Sequence, residues 1–129
     1  EMGFGVRLAT PLIEKNGGKV LNSEQRLGAK QAWGQVADWC SYTHTVGGRV
    51  LGAAIFASPK NPQRSWWHTR DYGLMVANPF GKRVLPAGSN GNLTVKRGEP
   101  LTLRYGLLVF DAPAMPDFAA AYQSFLAAP

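Results

Sequence analysis

The stretch Ser41-Tyr42-Thr43-His44-Thr45-Val46-Gly47-Gly48-Arg49-Val50-Leu51-Gly52-Ala53-Ala54-Ile55-Phe56 decides the fold class. Two runs rich in β-branched and aromatic residues flank Val46-Gly47-Gly48-Arg49. A Gly-Gly pair supplies the left-handed backbone that a tight hairpin turn requires, so the stretch predicts two antiparallel strands. Strand signals continue on both sides. Upstream, Phe4, Val6 and Leu8 alternate with Gly5 and Arg7 until Pro11 stops the run. Asn16-Gly17-Gly18 is a turn before a short Lys19–Asn22 segment, and the stretch from Trp33 to Tyr42 is rich in strand-favouring aromatics.

Downstream, Pro59 and Pro62 bracket a loop, and Tyr72–Ala77 reads as a buried strand closed by Asn78-Pro79. Gly88-Ser89-Asn90-Gly91 is another turn. Asn92–Val95 and Leu101–Phe110 are the last predicted strands, separated by a turn at Lys96–Pro100. Only the tail predicts a helix: Asp117 is a capping residue, and Phe118, Tyr122, Phe125 and Leu126 form one apolar stripe. No internal repeat or low-complexity tract is present. The expectation is a mainly β, antiparallel β-sandwich over residues 1–129 with a C-terminal α-helix.

Composition narrows the function classes. The 129 residues are 45% hydrophobic, which excludes wholesale disorder and suffices for a core without staples. A single cysteine, Cys40, rules out an intrachain disulfide and any multi-cysteine zinc site. No apolar run approaches the ~20 residues of a membrane-spanning helix. The chain opens at Glu1 directly on a strand-like run without a basic-then-apolar leader, and so reads as a fragment or processed product. The formal charge of +6 invites a nucleic-acid reading. However, the lysines and arginines are dispersed and singly placed near turns, unlike the stripes that follow a phosphate backbone, so nucleic acid is disfavoured as a partner.

The chemistry concentrates in Ser65-Trp66-Trp67-His68-Thr69-Arg70-Asp71-Tyr72-Gly73. An extended backbone would set Trp66, His68, Arg70 and Tyr72 on one face and Trp67, Thr69 and Asp71 on the other. Aromatic rings beside an imidazole and a guanidinium suit a sugar: rings pack on its C–H face, while the polar groups meet hydroxyls or a carboxylate. His68 can also exchange a proton near neutral pH. The competing reading is a core strand whose polar groups satisfy backbone carbonyls or Asp71. Around Trp33–Tyr42, Asp38 is a candidate base, or simply the ion-pair partner of an arginine. Asp38, Cys40, His44, His68 and Asp71 follow no metal-site spacing, so no metal site is expected, and the sequence leaves any cofactor open. Serine-hydrolase and dinucleotide-loop motifs are missing, and Cys40 reads as a buried thiol.

The ordered runs Ala37–Tyr42, Gly52–Phe56, Pro59–Pro62, Trp67–Leu74 and Ala77–Gly81, with Gly5–Arg7 and Gly17–Glu24, resemble the bacterial PmoA-like family over nearly the whole chain. The resemblance implies part of a galactose-mutarotase-like supersandwich, a role in carbohydrate metabolism and a periplasmic or extracellular setting. The methane-oxygenase label attached to that family does not suit a chain without a membrane span. Relatives are longer, with a sheet preceding the segment that starts here, which makes residues 1–129 the C-terminal portion of a longer sandwich. They also carry His where this chain has Phe110, so an activity that used that His would be weakened here. The resemblance adds weight to Trp67, His68, Arg70, Asp71 and Asn78 as site residues.

Together the expected roles are His68, Asp38 and Asp71 in acid–base catalysis, and Trp66, Trp67, Arg70, Tyr72 and Asn78 in substrate binding. The expected function is a carbohydrate-active or carbohydrate-binding domain, with hydrolase, lyase or epimerase chemistry in the enzyme version. The alternative is a non-catalytic scaffold or binding module whose partner is the rest of a larger sandwich or a second copy in a homo-oligomer.

Overall fold

A computed structural model describes residues 3–80 and 93–129. Seven strands and two α-helices follow in the order β1 (Phe4–Arg7), β2 (Lys19–Asn22), α1 (Ala29–Ala32), β3 (Trp39–Val46), β4 (Arg49–Ala57), β5 (Trp66–Thr69), β6 (Leu74–Asn78), β7 (Tyr105–Ala112) and α2 (Phe118–Ala127). The strands form two antiparallel sheets, ordered β1-β6-β5 and β2-β3-β4-β7. The chain is a β-sandwich with a C-terminal helix, as the sequence predicts.

The central hairpin forms as read. Val46 pairs with Arg49, leaving Gly47 and Gly48 as a two-residue turn with φ of 58° and 77°. Both values lie in the left-handed region where a side chain is disfavoured. Away from the turn β3 and β4 are buried on both faces, which explains the unbroken apolar run Ala53-Ala54-Ile55-Phe56. Toward the three-stranded sheet, Val20, Cys40, Tyr42 and Ile55 pack on Trp67, Met75 and Ala77. On the opposite face Trp39, Ala54 and Phe56, with Leu108 and Phe110 of β7, lie under Phe118, Tyr122 and Phe125 of α2. The Asp117 carboxylate caps α2 by accepting from the Ala120 N–H at 3.0 Å. Leu126, expected in the apolar stripe, is exposed instead.

The three-stranded sheet is too narrow to cover the edge of its partner. Leu107 and Val109 alternate with the helix-facing Leu108 and Phe110, and so point to the sandwich side of β7. They are nonetheless exposed, Val109 by 71%.

Several expectations change. The strand read at Tyr72–Ala77 runs from Leu74 to Asn78, because Tyr72 and Gly73 belong to the turn before it. The predicted strand from Trp33 begins only at Trp39, and the short α1 lies just before it, although only the tail was expected to be helical. A four-residue helix is shorter than one apolar period and leaves no pattern to read. The last strand begins at Tyr105 rather than Leu101. Asn61 holds both backbone polar groups of Arg104, accepting from its N–H at 2.7 Å and donating to its carbonyl at 3.0 Å, so that residue is tied to a loop instead of a ladder. Leu93–Val95 is not a strand, while Asn92 and the Gly88–Gly91 turn lie outside the described residues.

Candidate functional site

β5 keeps the predicted alternation only as far as Thr69. Trp67 and Thr69 are buried, whereas Trp66 and His68 are half-buried on the outward face. The chain then reverses. Arg70 donates its N–H to the Leu74 carbonyl at 2.8 Å, Gly73 donates to the Arg70 carbonyl at 3.2 Å, and Gly73 sits at φ 93°. Tyr72 therefore does not continue the Trp66–His68 row. Its ring lies under the Arg7 guanidinium of β1, 5.1 Å from the charge centre, and is separated from the expected site.

Trp67, expected to bind substrate, is a core residue. It is fully buried, and its indole N–H donates to the Ala37 carbonyl at 3.0 Å. No face remains for a sugar. Its backbone joins the segment after α1: Gly34 donates to the Trp67 carbonyl at 2.7 Å, and Trp67 donates to the Gln35 carbonyl at 3.0 Å. This pairing places Trp33 beside β5, where its ring meets His68 edge-on at a centroid distance of 6.4 Å. The Arg70 guanidinium lies 5.7 Å from the centre of the same ring.

Trp33 and Arg70 also line a cleft of about 590 Å³ with Glu14, Ala29, Lys30, Thr69 and Asp71. Its shape rests on the buried Tyr42 hydroxyl. That oxygen accepts from the Glu14 N–H at 2.6 Å and shares its proton between the carbonyls of Arg70 and Asp71, at 3.3 and 3.2 Å. Glu14 in turn accepts the Ala29 N–H at 2.9 Å, and the Thr69 hydroxyl donates to the Ala29 carbonyl at 2.6 Å. Four segments distant in sequence, at Glu14, Ala29, Tyr42 and residues 69–71, are thereby tied at one corner. Burial pushes the Tyr42 phenol above its ordinary range and keeps it a neutral donor.

His68 adjoins the cleft through Trp33 and Arg70. The Arg70 Nε–H donates to His68 Nε2 at 3.3 Å, which requires the neutral imidazole with its proton on Nδ1. Burial first, and the Arg70 charge second, hold the His68 pKa below its usual value. Arg70 has no carboxylate partner among the described residues.

The carboxylates expected to assist His68 are engaged elsewhere. Asp71 pairs with Lys15 at 3.6 Å. Asp38 accepts from Arg64 at 2.8 Å, and Glu24 lies 3.7 Å from the same nitrogen. Asn78 closes a local turn by accepting the Phe80 N–H at 2.9 Å, and Trp66 stands across from it in the β5–β6 register. Cys40 is buried, with its thiol held strongly protonated by desolvation. Among the described residues no three histidine, cysteine or acidic side chains gather as a metal site, and no helix is long and apolar enough to cross a membrane.

The structure thus brings His68, Arg70 and Asp71 of the expected set to the cleft, Asp71 paired with Lys15, and adds Trp33 and Lys30, to which no binding role was given. Lys30 and Trp33 are spaced i, i+3, which puts them on one side of a helical turn. That spacing was the available signal, hidden by the shortness of α1. Neither a search of curated proteins nor one of solved structures returned a match. A family profile, described as a family of unknown function (DUF6807), matches residues 1–123, and the chain belongs to that family.

Proposed function

We propose that the chain is a carbohydrate-binding domain whose ligand seats in the cleft between Trp33 and Arg70. One observation carries this reading: an indole ring and a guanidinium without a carboxylate partner among the described residues line the same open cleft. Its volume falls within the roughly 300–1,000 Å³ of small-molecule sites. The ring offers a flat apolar surface to sugar C–H groups, and Arg70 and Lys30 offer polar contacts beside it. The resemblance to PmoA-like proteins of carbohydrate metabolism points the same way.

Binding is better supported than turnover. His68 is the group suited to proton transfer, but Arg70 occupies its Nε2, and neither Asp38 nor Asp71 touches it. An acid–base role would require a substrate to displace the Arg70 N–H. The test is titration of the protein with a panel of neutral and acidic oligosaccharides, followed by tryptophan fluorescence and by product analysis. Saturable binding that Trp33→Ala weakens about tenfold or more supports the proposal. Absence of saturation by every glycan sinks it, and turnover lost in His68→Ala would replace binding with catalysis.

A further inference from the structure

Resting on the carbohydrate reading, the geometry points to a ligand class: we infer that the sugar bears a carboxylate, a uronic acid residue, held by Arg70 and Lys30 against Trp33. The argument is one of unmet charge. Two cations and two carboxylates line the cleft. Both carboxylates are already engaged, Glu14 by the Ala29 N–H at 2.9 Å and Asp71 by Lys15 at 3.6 Å. Neither cation meets a carboxylate: Arg70 and Lys30 form no ion pair among the described residues, and the Arg70 hydrogen bond goes to the neutral His68 nitrogen. With Lys15 counted, three positive groups stand against two negative ones around the opening.

The orientation of Arg70 selects the kind of anion. Its Nε–H is directed to His68 Nε2 at 3.3 Å, while its two terminal amino groups have no hydrogen-bond partner among the described residues. Those two groups form the edge of the guanidinium that receives a planar carboxylate through parallel hydrogen bonds. A guanidinium lying 5.7 Å from the centre of Trp33 keeps that edge close to the ring on which a sugar would pack. The pyranose face and its acid group are then recognised by neighbouring parts of one site. A sulfate ester carries the same sign and can also be held by the fork. Its bridging oxygen, however, sets the charge further from the sugar ring than a carboxylate bonded directly to the ring carbon, which suits a guanidinium lying this close to Trp33 less well.

The experiment titrates the full chain with trimers of galacturonate, glucuronate and mannuronate, their neutral galactose, glucose and mannose counterparts, and a sulfated galactose trimer. At least one uronate trimer is expected to bind about tenfold or more tightly than its neutral counterpart, with a preference that shrinks as salt is raised. Arg70→Gln should abolish the preference, weakening the uronate trimer about tenfold more than its neutral counterpart, and Arg70→Lys should keep only part of it because the fork is lost. Lys30→Gln, at an exposed position, provides an independent reduction of the same preference. Equal or tighter binding of the neutral trimers overturns the inference and leaves the carbohydrate reading intact. Tighter binding of the sulfated trimer overturns the choice of carboxylate. If no trimer binds, both this inference and the carbohydrate reading fall.

Discussion

Arg64 and Arg70 flank the same short strand, yet their surroundings are opposite. Arg64 is held by Asp38 at 2.8 Å, with Glu24 at 3.7 Å, so two carboxylates answer one cation. Arg70 meets a neutral imidazole nitrogen, the face of an indole and a cleft. The first arrangement is complete in itself. In the second, the charge is positioned by contacts that do not neutralise it. An arginine of the first kind ties a loop to its neighbours, whereas one of the second kind is available to an external anion. The contrast also separates the acids: Asp38 belongs with Arg64, and only Asp71 of the two proposed catalytic acids reaches the cleft.

The sharpest way to break this contrast is through the corner that shapes the cleft. Tyr42→Phe removes the hydroxyl that accepts the Glu14 N–H and donates toward the Arg70 and Asp71 carbonyls. Leaving those groups without their partner should destabilise the protein by about 1–3 kcal/mol. Ligand affinity should fall as well, because Glu14 and Arg70 lose their common anchor. Denaturant unfolding and glycan titration measure the two effects. Unchanged stability and affinity would mean that the cleft does not depend on this corner.

A smaller effect is expected at the other arginine. Asp38→Asn weakens an ion pair whose side chains are 45% and 55% exposed. Exposed pairs contribute about 0–1 kcal/mol, and Glu24 remains beside Arg64. The variant should therefore lose less than about 1 kcal/mol on unfolding and keep its affinity for glycans. A large loss of binding would place Asp38 in the site after all and erase the distinction between the two regions.

How far the sequence foretold this arrangement depends on how local each cause is. The hairpin was legible because Gly47 and Gly48 meet a local backbone demand, and α2 because its cap and stripe lie within one segment. The alternation of Trp66 to Thr69 was legible for the same reason, but it did not say which face was inside. That is decided by the opposite sheet, which buries Trp67 and takes it out of the expected site. Tyr72 departs because the turn at Gly73 interrupts the period. Trp33 acquires its place through backbone pairing with Trp67, more than thirty residues away, and no local pattern reports such a partner. Long-range closure by Tyr42 is equally silent in the sequence, where that residue reads simply as part of a strand.

The finest test of the contrast is the protonation of His68. Its pKa is lowered chiefly by burial and further by Arg70, so the folded protein takes up a proton there less readily than the unfolded chain, whose histidine titrates near 6.5. Below that pH the unfolded state binds more protons, and folding stability should decline as pH falls toward the folded-state pKa; above 6.5 this contribution is fully present. The effect on stability is small because His68 is only half-buried and solvent screens it. One part of the lowering nevertheless comes from the Arg70 charge. Arg70→Gln removes the second cause and leaves the first, so the His68 ring signals in an NMR pH titration should move to a higher midpoint without reaching the ordinary value. Arg64→Gln should leave that midpoint in place, since Arg64 is bound within the Asp38 and Glu24 cluster. A midpoint that shifts with Arg64 and not with Arg70 would show that the charge felt by the imidazole comes from the other region, and that Arg70 is not held beside His68 in solution.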